Sequence, residues 1–392
     1  MNPTARKPFA GLRVLDFTTT IAGPHCTRLL ADMGAEVIKI EAPEGDMMRS
    51  RPPLRNGASS YFGQLNAGKK SVVMDLKSGA ANAAIHALLA GTDILVENFR
   101  PGVMRRLGLD YPALAAAYPR LIYCAISGYG QTGPSSQLPA YAPVVHAASG
   151  FDLAHLGYQE GRTRPDYCGL FIADVAVGTY AFGAIGAALH QRHADGRGQC
   201  VDLSMLETML GFTLTELQYA QFEVPPPGRP IYGPLACADG YLNVAVASEK
   251  SFQGFARAAG HPEWVHDPRF ERYTDRRRHW GELMDLAEGW SRTLSKAQCQ
   301  AVFDRCGVPC SPYRTVAEAM ADPQIAHRDA LAEVNDAGGC FQVLNPPFRL
   351  SNAATGAGNH SPALGEHTVE VLRGAGLSMA EIAACAAGSA AI

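Results

Sequence analysis

Residues 11–45 read GLRVLDFTTTIAGPHCTRLLADMGAEVIKIEAPEG. The apolar run at 12–17 has the length and content of a buried strand. The Gly23-Pro24 turn then opens a helix expected over 25–33, and 36–40 returns as a second strand. Strand, helix and strand in this order form a βαβ unit, the seed of a doubly wound sheet that holds ligands outside the carboxyl ends of its strands.

The rhythm continues outward. A strand is expected at 71–76, a helix at 79–90 and a strand at 94–97, and LIYCAISGYG at 121–130 supplies a strand that enters a glycine-rich loop. From Asp174, DVAVGTYAFGAIGAALHQRH is long, apolar and free of proline, and reads as a mostly buried helix. CVDLSM at 200–205 is the next strand, and a helix begins near Glu207. The proline-rich VPPPGRPIYGP at 224–234 cannot be regular structure. Beyond it, 240–248 alternates like a strand, 249–305 is helical in pattern, 307–316 is extended, and DAGG at 336–339 reads as a polar linker. The expected fold is α/β: a large Rossmann-like domain over 1–224, a smaller α+β domain over 225–330 and a C-terminal segment over 331–392 ending in an alanine-rich helix.

Composition limits the function. Among 392 residues, 34 basic and 37 acidic side chains give a formal net charge of -3, so no basic field awaits nucleic acid. An anionic ligand must be gripped by a few placed groups. The chain enters a strand-like run without a long apolar segment before it, so no signal peptide is expected, and charge or glycine interrupts the apolar stretches, so no membrane span is expected either. Ten cysteines lie at irregular intervals, and Cys306 with Cys310 makes the nearest thing to a pair, without a second pair or a nearby histidine to complete a metal set. The expectation is a cytoplasmic, metal-free protein.

The chain has neither G-x-G-x-x-G after its first strand nor G-x-x-x-x-G-K-[ST], which argues against a dinucleotide enzyme and a P-loop ATPase. Lys69, Lys70, Lys77 and Arg106 are either phosphate grips at a sheet crevice or solvated charges. Asn98 and Phe99 directly follow the strand DILVE, where an amide and an aromatic can receive a base or a pantetheine arm, or simply cover the sheet. Asp174, between GLFI and an apolar helix, is either an N-cap or a carboxylate nucleophile at the mouth of a sheet, able to attack a thioester and form a mixed anhydride. The loop from Gly128 to Pro134 can bring bare N–H groups to a ligand oxygen or serve as a plain turn. His25 and His146 are the candidate general bases, with His146 also readable as a packed or substrate-facing residue. No G-x-S-x-G supports a hydrolase triad.

The segments GLRVLDFTTTIAGPHCTRLLADMGAEVIKIE, NAGKKSVVMDLKS, ILVENFRPGVMRRLGLD, ISGYGQTGP, the stretch around Asp174 and GRGQCVDLSMLE together resemble the class III CoA-transferases, a family that includes formyl-CoA transferase, the carnitine CoA-transferases and α-methylacyl-CoA racemase. The resemblance implies two subunits threaded through each other as an interlocked homodimer. It implies a CoA thioester as substrate, with no permanently bound cofactor, and Asp174 as the residue that forms an acyl anhydride and then an aspartyl-CoA thioester. It places Met74, Lys77, Asn98, Phe99 and Arg106 at CoA, and Thr20 and Ile21 near the thioester end. The racemase relatives carry a histidine-aspartate pair where this chain has Tyr141 and Ala142, which favours transfer over racemisation unless His146 or Glu207 supplies a base. Many members carry an arginine where this chain has Ala42, and Arg49 or Arg51 are the candidates to replace it. No clean glycine run marks a substrate lid, only IYGPLACADG at 231–240. Arg162 and Arg164, in the loop before the Asp174 segment, can pair with the second carboxylate of a dicarboxylic acid, and LPAYAPVVHAASG resembles the mesaconyl-CoA transferases, which implies a short C4–C5 diacid as substrate, with Tyr141 and His146 as further contacts. A solvated loop is the other reading of the two arginines.

Overall fold

The computed structural model describes residues 6–159, 161–166, 168–224 and 231–386. Two compact units emerge. The first is Met1–Ala154 with Arg164–Leu214 and Ala326–Ile392; the second is His155–Thr163 with Thr215–Ile325. The sequence reading had set its small domain at 225–330, and part of that expected boundary, 225–230, lies outside the described residues. Within the second unit the Tyr158 hydroxyl donates to Glu216, tying His155–Thr163 to the chain after Thr215.

The first unit is built on six parallel strands: β1 (Arg13–Asp16), β2 (Glu36–Glu41), β3 (Lys70–Val73), β4 (Ile94–Glu97), β5 (Ile122–Ser127) and β6 (Cys200–Ser204). Their order in the sheet is β3-β2-β1-β4-β5-β6. The order reverses between β1 and β4, so the loops leaving these neighbours part to opposite sides and open a crevice at the strands' carboxyl ends. The expected α/β architecture with a parallel sheet is therefore present.

Alternation along the strands divides the core. Leu15, Ile38, Leu95 and Tyr123 face α2 (Gly79–Leu89), where Ala84, Ile85 and Leu88 meet them. Val14, Val37, Ile94, Val96 and Ile122 face α1 (Ala22–Asp32) and α3 (Ile172–Asp195), which present Cys26, Leu30, Val177 and Ile185. Each such aliphatic side chain, fully buried, contributes about 1.5–3 kcal/mol. The two helices approach closely at Gly178, where a Cβ would stand 2.4 Å from the Ala22 carbonyl oxygen. α3 meets by length and composition what a membrane crossing requires, with a third of its most apolar window buried. Its inner face holds the sheet core, while its outer face borders an apolar groove of about 970 Å³ that includes Val175, Tyr180 and Phe212.

Two local readings change. Residues 336–339 turn a hairpin between Leu331–Asp336 and Gly339–Leu344, so DAGG is a strand connection instead of a linker. The helix after Gly23-Pro24 starts at Ala22, because proline is tolerated in a first turn whose N–H groups have no intrahelical acceptor. The C-terminal helix Met379–Ala386 buries Ile382 and Cys385 in the sheet core.

The second unit carries an antiparallel three-stranded sheet of Tyr232–Cys237, Gly240–Ala245 and Cys310–Pro312. The segment 231–240, in which no clean glycine run marks a lid, supplies one of its strands and a turn. Helices Glu249–Ala258, Trp280–Ser291 and Lys296–Cys306 cover it around Phe252, Phe255, Leu283 and Phe303.

Candidate active site

At the point where the strand order reverses, the loops after β1 and β4 and the loop after β5 enclose a cavity of about 260 Å³. Thr19, Thr20, Asn98, Arg100, Ser127 and Asp174 are among its lining. The β1 loop is unusual in that Thr20 adopts φ +70°, a left-handed conformation that a β-branched residue avoids and that costs on the order of 1–3 kcal/mol unless its surroundings enforce it.

The enforcement is a buried ionic clamp. Asp16 accepts from the Thr18 N–H at 2.9 Å and from the Thr18 hydroxyl at 2.5 Å. Its other oxygen takes the Thr27 hydroxyl at 2.7 Å and Lys69 Nζ at 3.0 Å. Lys39 Nζ donates to the Thr18 carbonyl at 2.7 Å and stands 3.0 Å from Asp46, whose Oδ1 receives the Thr20 N–H at 3.4 Å. The Asn98 amide closes the ring, accepting from Thr19 N–H at 2.9 Å and donating to Thr19 carbonyl at 2.8 Å. Burial works against the Asp16 carboxylate, but Lys69 and Lys39 prevail and hold it at about 2; burial lowers Lys69 to about 8 against the pull of Asp16. Two lysines and two aspartates, all with side chains fully withdrawn from water, therefore fix the backbone of Thr18 to Thr20.

Asp174 enters from the opposite wall. Phe171 is the N-cap residue of α3, so Asp174 sits in the first turn without capping it, and the N-cap reading falls away. The capping role belongs to His146, whose Nε2 accepts the Ala173 N–H at 3.1 Å. Burial lowers the pKa of His146 against Asp152, and the neutral ring keeps its proton on Nδ1, which has no partner among the described residues. Asp174 is left as a carboxylate at a helix N-terminus whose only hydrogen-bond donor among the described residues is its own N–H. Burial raises it to about 6. Its charge in turn raises the Tyr61 phenol, after burial, against Arg51. Ser127, at the end of β5, lines the same cavity and has a buried hydroxyl without a partner among the described residues.

The structure sorts the residues expected at the ligand. Thr20, Asn98, Phe99 and Tyr141 line the cavity with Asp174, although the Asn98 side chain is spent on Thr19. Ile21 is packed with Met48, Phe62 and Leu65, and Met74 is 0% exposed in the sheet core, so neither side chain is open to a ligand. His146, expected at the substrate, is 1% exposed and occupied by Ala173. Lys77 and Arg106 are exposed, outside this lining. Lys69 is consumed by the clamp, and Lys70 pairs with Glu36 and Glu370. Arg49 is held by Glu41 at 2.7 Å and by the Pro362 carbonyl, which removes it as a substitute for the arginine missing at Ala42; Arg51 stays exposed. Neither Arg162 nor Arg164 lines the cavity, and Arg162 belongs to the second unit. Glu207 is exposed and outside it as well, so neither base proposed for racemisation is present there. Of the glycine loop, Gly128 lines the cavity, while the Gln131 N–H is bound to Asp202. Sequence reasoning passed over Arg100, two residues beyond Asn98, and over Ser127 in the quoted ISGYG segment.

The fold and site define a doubly wound α/β protein with a carboxylate at its switch point, an arrangement open to many chemistries, and comparison with known proteins makes the class specific. Residues 9–368 match CoA-transferase family III. The chain is 37% identical to an acetyl-CoA:oxalate CoA-transferase of Acetobacter aceti, over 86% of this chain and 88% of that one. It is 34% identical to a succinyl-CoA–D-citramalate CoA-transferase of Chloroflexus aurantiacus, over 93% of each. A CAIB/BAIF family protein from Brucella suis superposes with a TM-score of 0.83 at 30% identity, covering 94% of this chain and all of that one. The chain belongs to CoA-transferase family III. It is an enzyme that transfers coenzyme A between an acyl-CoA thioester and a carboxylate.

Proposed function

We propose that Asp174 carries CoA between a CoA thioester and a short dicarboxylic acid through two covalent intermediates. The supporting observation is its position: a carboxylate without a partner side chain among the described residues, half in its basic form at about pH 6 and at the helix N-terminus, in one cavity with Thr19 and Thr20. The Asp174 oxygen attacks the thioester carbonyl, forming a mixed anhydride and expelling CoA thiolate. The thiolate attacks the aspartyl carbonyl, which frees the first acid and leaves an aspartyl-CoA thioester. The acceptor carboxylate attacks that carbonyl, expelling CoA thiolate and forming a second anhydride. Attack of the thiolate on the acceptor's acyl carbon then releases the new thioester and restores the carboxylate. Each step exchanges one C–O or C–S bond for another, and no proton leaves the cycle.

Ser127 and the Gly128 N–H are the groups on the cavity wall suited to an oxygen that gains charge at each attack. Arg100, the guanidinium in the lining, suits the second carboxylate of a diacid, in the role first considered for Arg162 and Arg164. The relatives' acids, oxalate and citramalate among them, are dicarboxylates, which supports the same acceptor class. The groove along α3 leaves Val175, Tyr180 and Phe212 open, an apolar surface consistent with the interlocked homodimer that the family resemblance implies.

Intact-protein mass spectrometry after mixing with succinyl-CoA and related thioesters, followed by hydroxylamine trapping, tests the assignment. An adduct on Asp174 that is absent from Asp174→Ala is expected. The same adduct in that variant would remove Asp174 from the chemistry.

A further inference from the structure

A second cavity, of about 400 Å³, lies on the other side of Arg100 and Pro101, enclosed by β4, β5, the start of β6 and the loop that follows β4. Neither Asp174 nor any residue of the β1 loop lines it. Its walls hold polar groups that the fold leaves unsatisfied. Glu97 is 4% exposed; one of its oxygens accepts the Phe99 N–H at 2.8 Å, and no hydrogen bond reaches the other among the described residues. Tyr123, 3% exposed, has a hydroxyl without a hydrogen-bond partner among them. Gln131 adds a buried amide nitrogen in the same condition. Leaving a buried donor unpaired costs on the order of 1–3 kcal/mol; the Gln131 amide is such a donor among the described residues, and the Glu97 and Tyr123 oxygens beside it make the cavity suited to a polar occupant.

The chemistry of these groups selects the occupant. Burial, opposed by the Phe99 N–H and reinforced by Asp202, lifts Glu97 to about 8, so at neutral pH its carboxyl keeps a proton to donate. Asp202 shares the Gln131 N–H between its two oxygens, at 3.2 and 3.1 Å, and does not line the cavity. Glu97, Tyr123 and the Gln131 amide therefore all offer donors. Arg100 and Arg105, both exposed, put positive charge in the lining, with Asp110 at 3.4 Å from Arg105. Donors within and guanidinium groups near solvent suit a small anion with two acceptor oxygens. We propose that this cavity is a second binding site for a small carboxylate, separate from the cavity that contains Asp174.

The site brings its own reporter. Cys200 is a free, exposed thiol that lines this cavity and not the other. Burial, then Asp202 and Glu97, raise this thiol to about 11, so methyl methanethiosulfonate modifies it slowly at neutral pH. The ratio of its rates with and without carboxylate, taken within each variant by peptide mass spectrometry, reads occupancy without reference to catalysis, and exposed Cys340 serves as the internal control. Glutarate at ten times its dissociation constant is expected to slow modification of Cys200 about tenfold, because protection follows one plus the ratio of ligand to dissociation constant. Cys340 is expected to react unchanged. Protection should persist in Asp174→Ala, which keeps this inference independent of the proposed nucleophile. It should persist in Glu97→Gln, whose amide still donates, and be lost in Glu97→Leu and in Tyr123→Phe; the latter deletes one oxygen and guards against a folding failure of the former. No protection by glutarate, or protection unchanged in Tyr123→Phe and Glu97→Leu, overturns the proposal. Protection by inorganic phosphate but not by glutarate overturns the carboxylate class.

Discussion

Asp174→Asn should make the protein more stable while ending transfer. Burial raises this carboxyl from 3.8 to about 6, so the folded chain binds the proton more tightly than the unfolded chain. The sign follows from linkage: between the two values the folded state holds the proton and the unfolded state has lost it, so stability falls as pH rises through that window and stays reduced above it. At about 1.4 kcal/mol for each tenfold change in proton affinity, the ionised side chain costs about 3 kcal/mol at neutral pH. Asparagine has the same shape without the charge and escapes that cost. The variant is expected to exceed wild type by about 2–3 kcal/mol at about pH 7.5 and to match it at about pH 3, with urea unfolding followed by circular dichroism at both pH values. Equal midpoints at the higher pH, or the same gap at both, would refute the account of Asp174 as a desolvated carboxylate. In the wild type the transfer rate should fall about tenfold per pH unit below about 6, as the attacking carboxylate takes up its proton.

Lys39→Met leaves Asp46 and the Thr18 carbonyl without their buried cation. A loss of about 3–5 kcal/mol is expected from urea midpoints, the cost typical of breaking a buried pair; a loss below about 1 kcal/mol would show that water replaces the ammonium. His146→Ala removes the acceptor of the Ala173 N–H and should cost about 1 kcal/mol. Its pH–rate profile should keep the limb near 6, because that limb belongs to Asp174; its disappearance would make His146 the titrating group. Gly178→Ala drives a methyl against the Ala22 carbonyl and should destabilise by about 1–3 kcal/mol. By contrast, Gly289→Ala, with open space in helix Trp280–Ser291, should be neutral or stabilising by up to about 1 kcal/mol. Thermal melts of the two glycine variants give the comparison.

The parallel sheet was legible because strands buried on both faces are largely apolar: ILVE and IYCAIS carry that pattern almost to their observed ends, and RVLD and EVIKIE carry it apart from their end residues and Lys39. The same logic pointed to the strand ends where Thr20, Asn98 and the Gly128 loop now meet Asp174. What the sequence concealed is which groups at those ends are already taken. Lys69 and Asn98 were reasonable ligand contacts from position alone, but one is neutralised by Asp16, 53 residues earlier, and the other by Thr19, 79 residues earlier. His146 looked like a substrate residue because its partner is the backbone of a helix that begins 26 residues later, and no periodicity links the two. Conversely, Glu97 ends the strand read at 94–97 and Ser127 lies in the strand-to-loop segment at 121–130, yet each has an oxygen without a hydrogen-bond partner among the described residues and lines a cavity. Strand patterning locates the crevice of a doubly wound fold. Which side chains are available to a ligand there follows only from accounting for every donor and acceptor around it, since those contacts join segments that are distant in the chain.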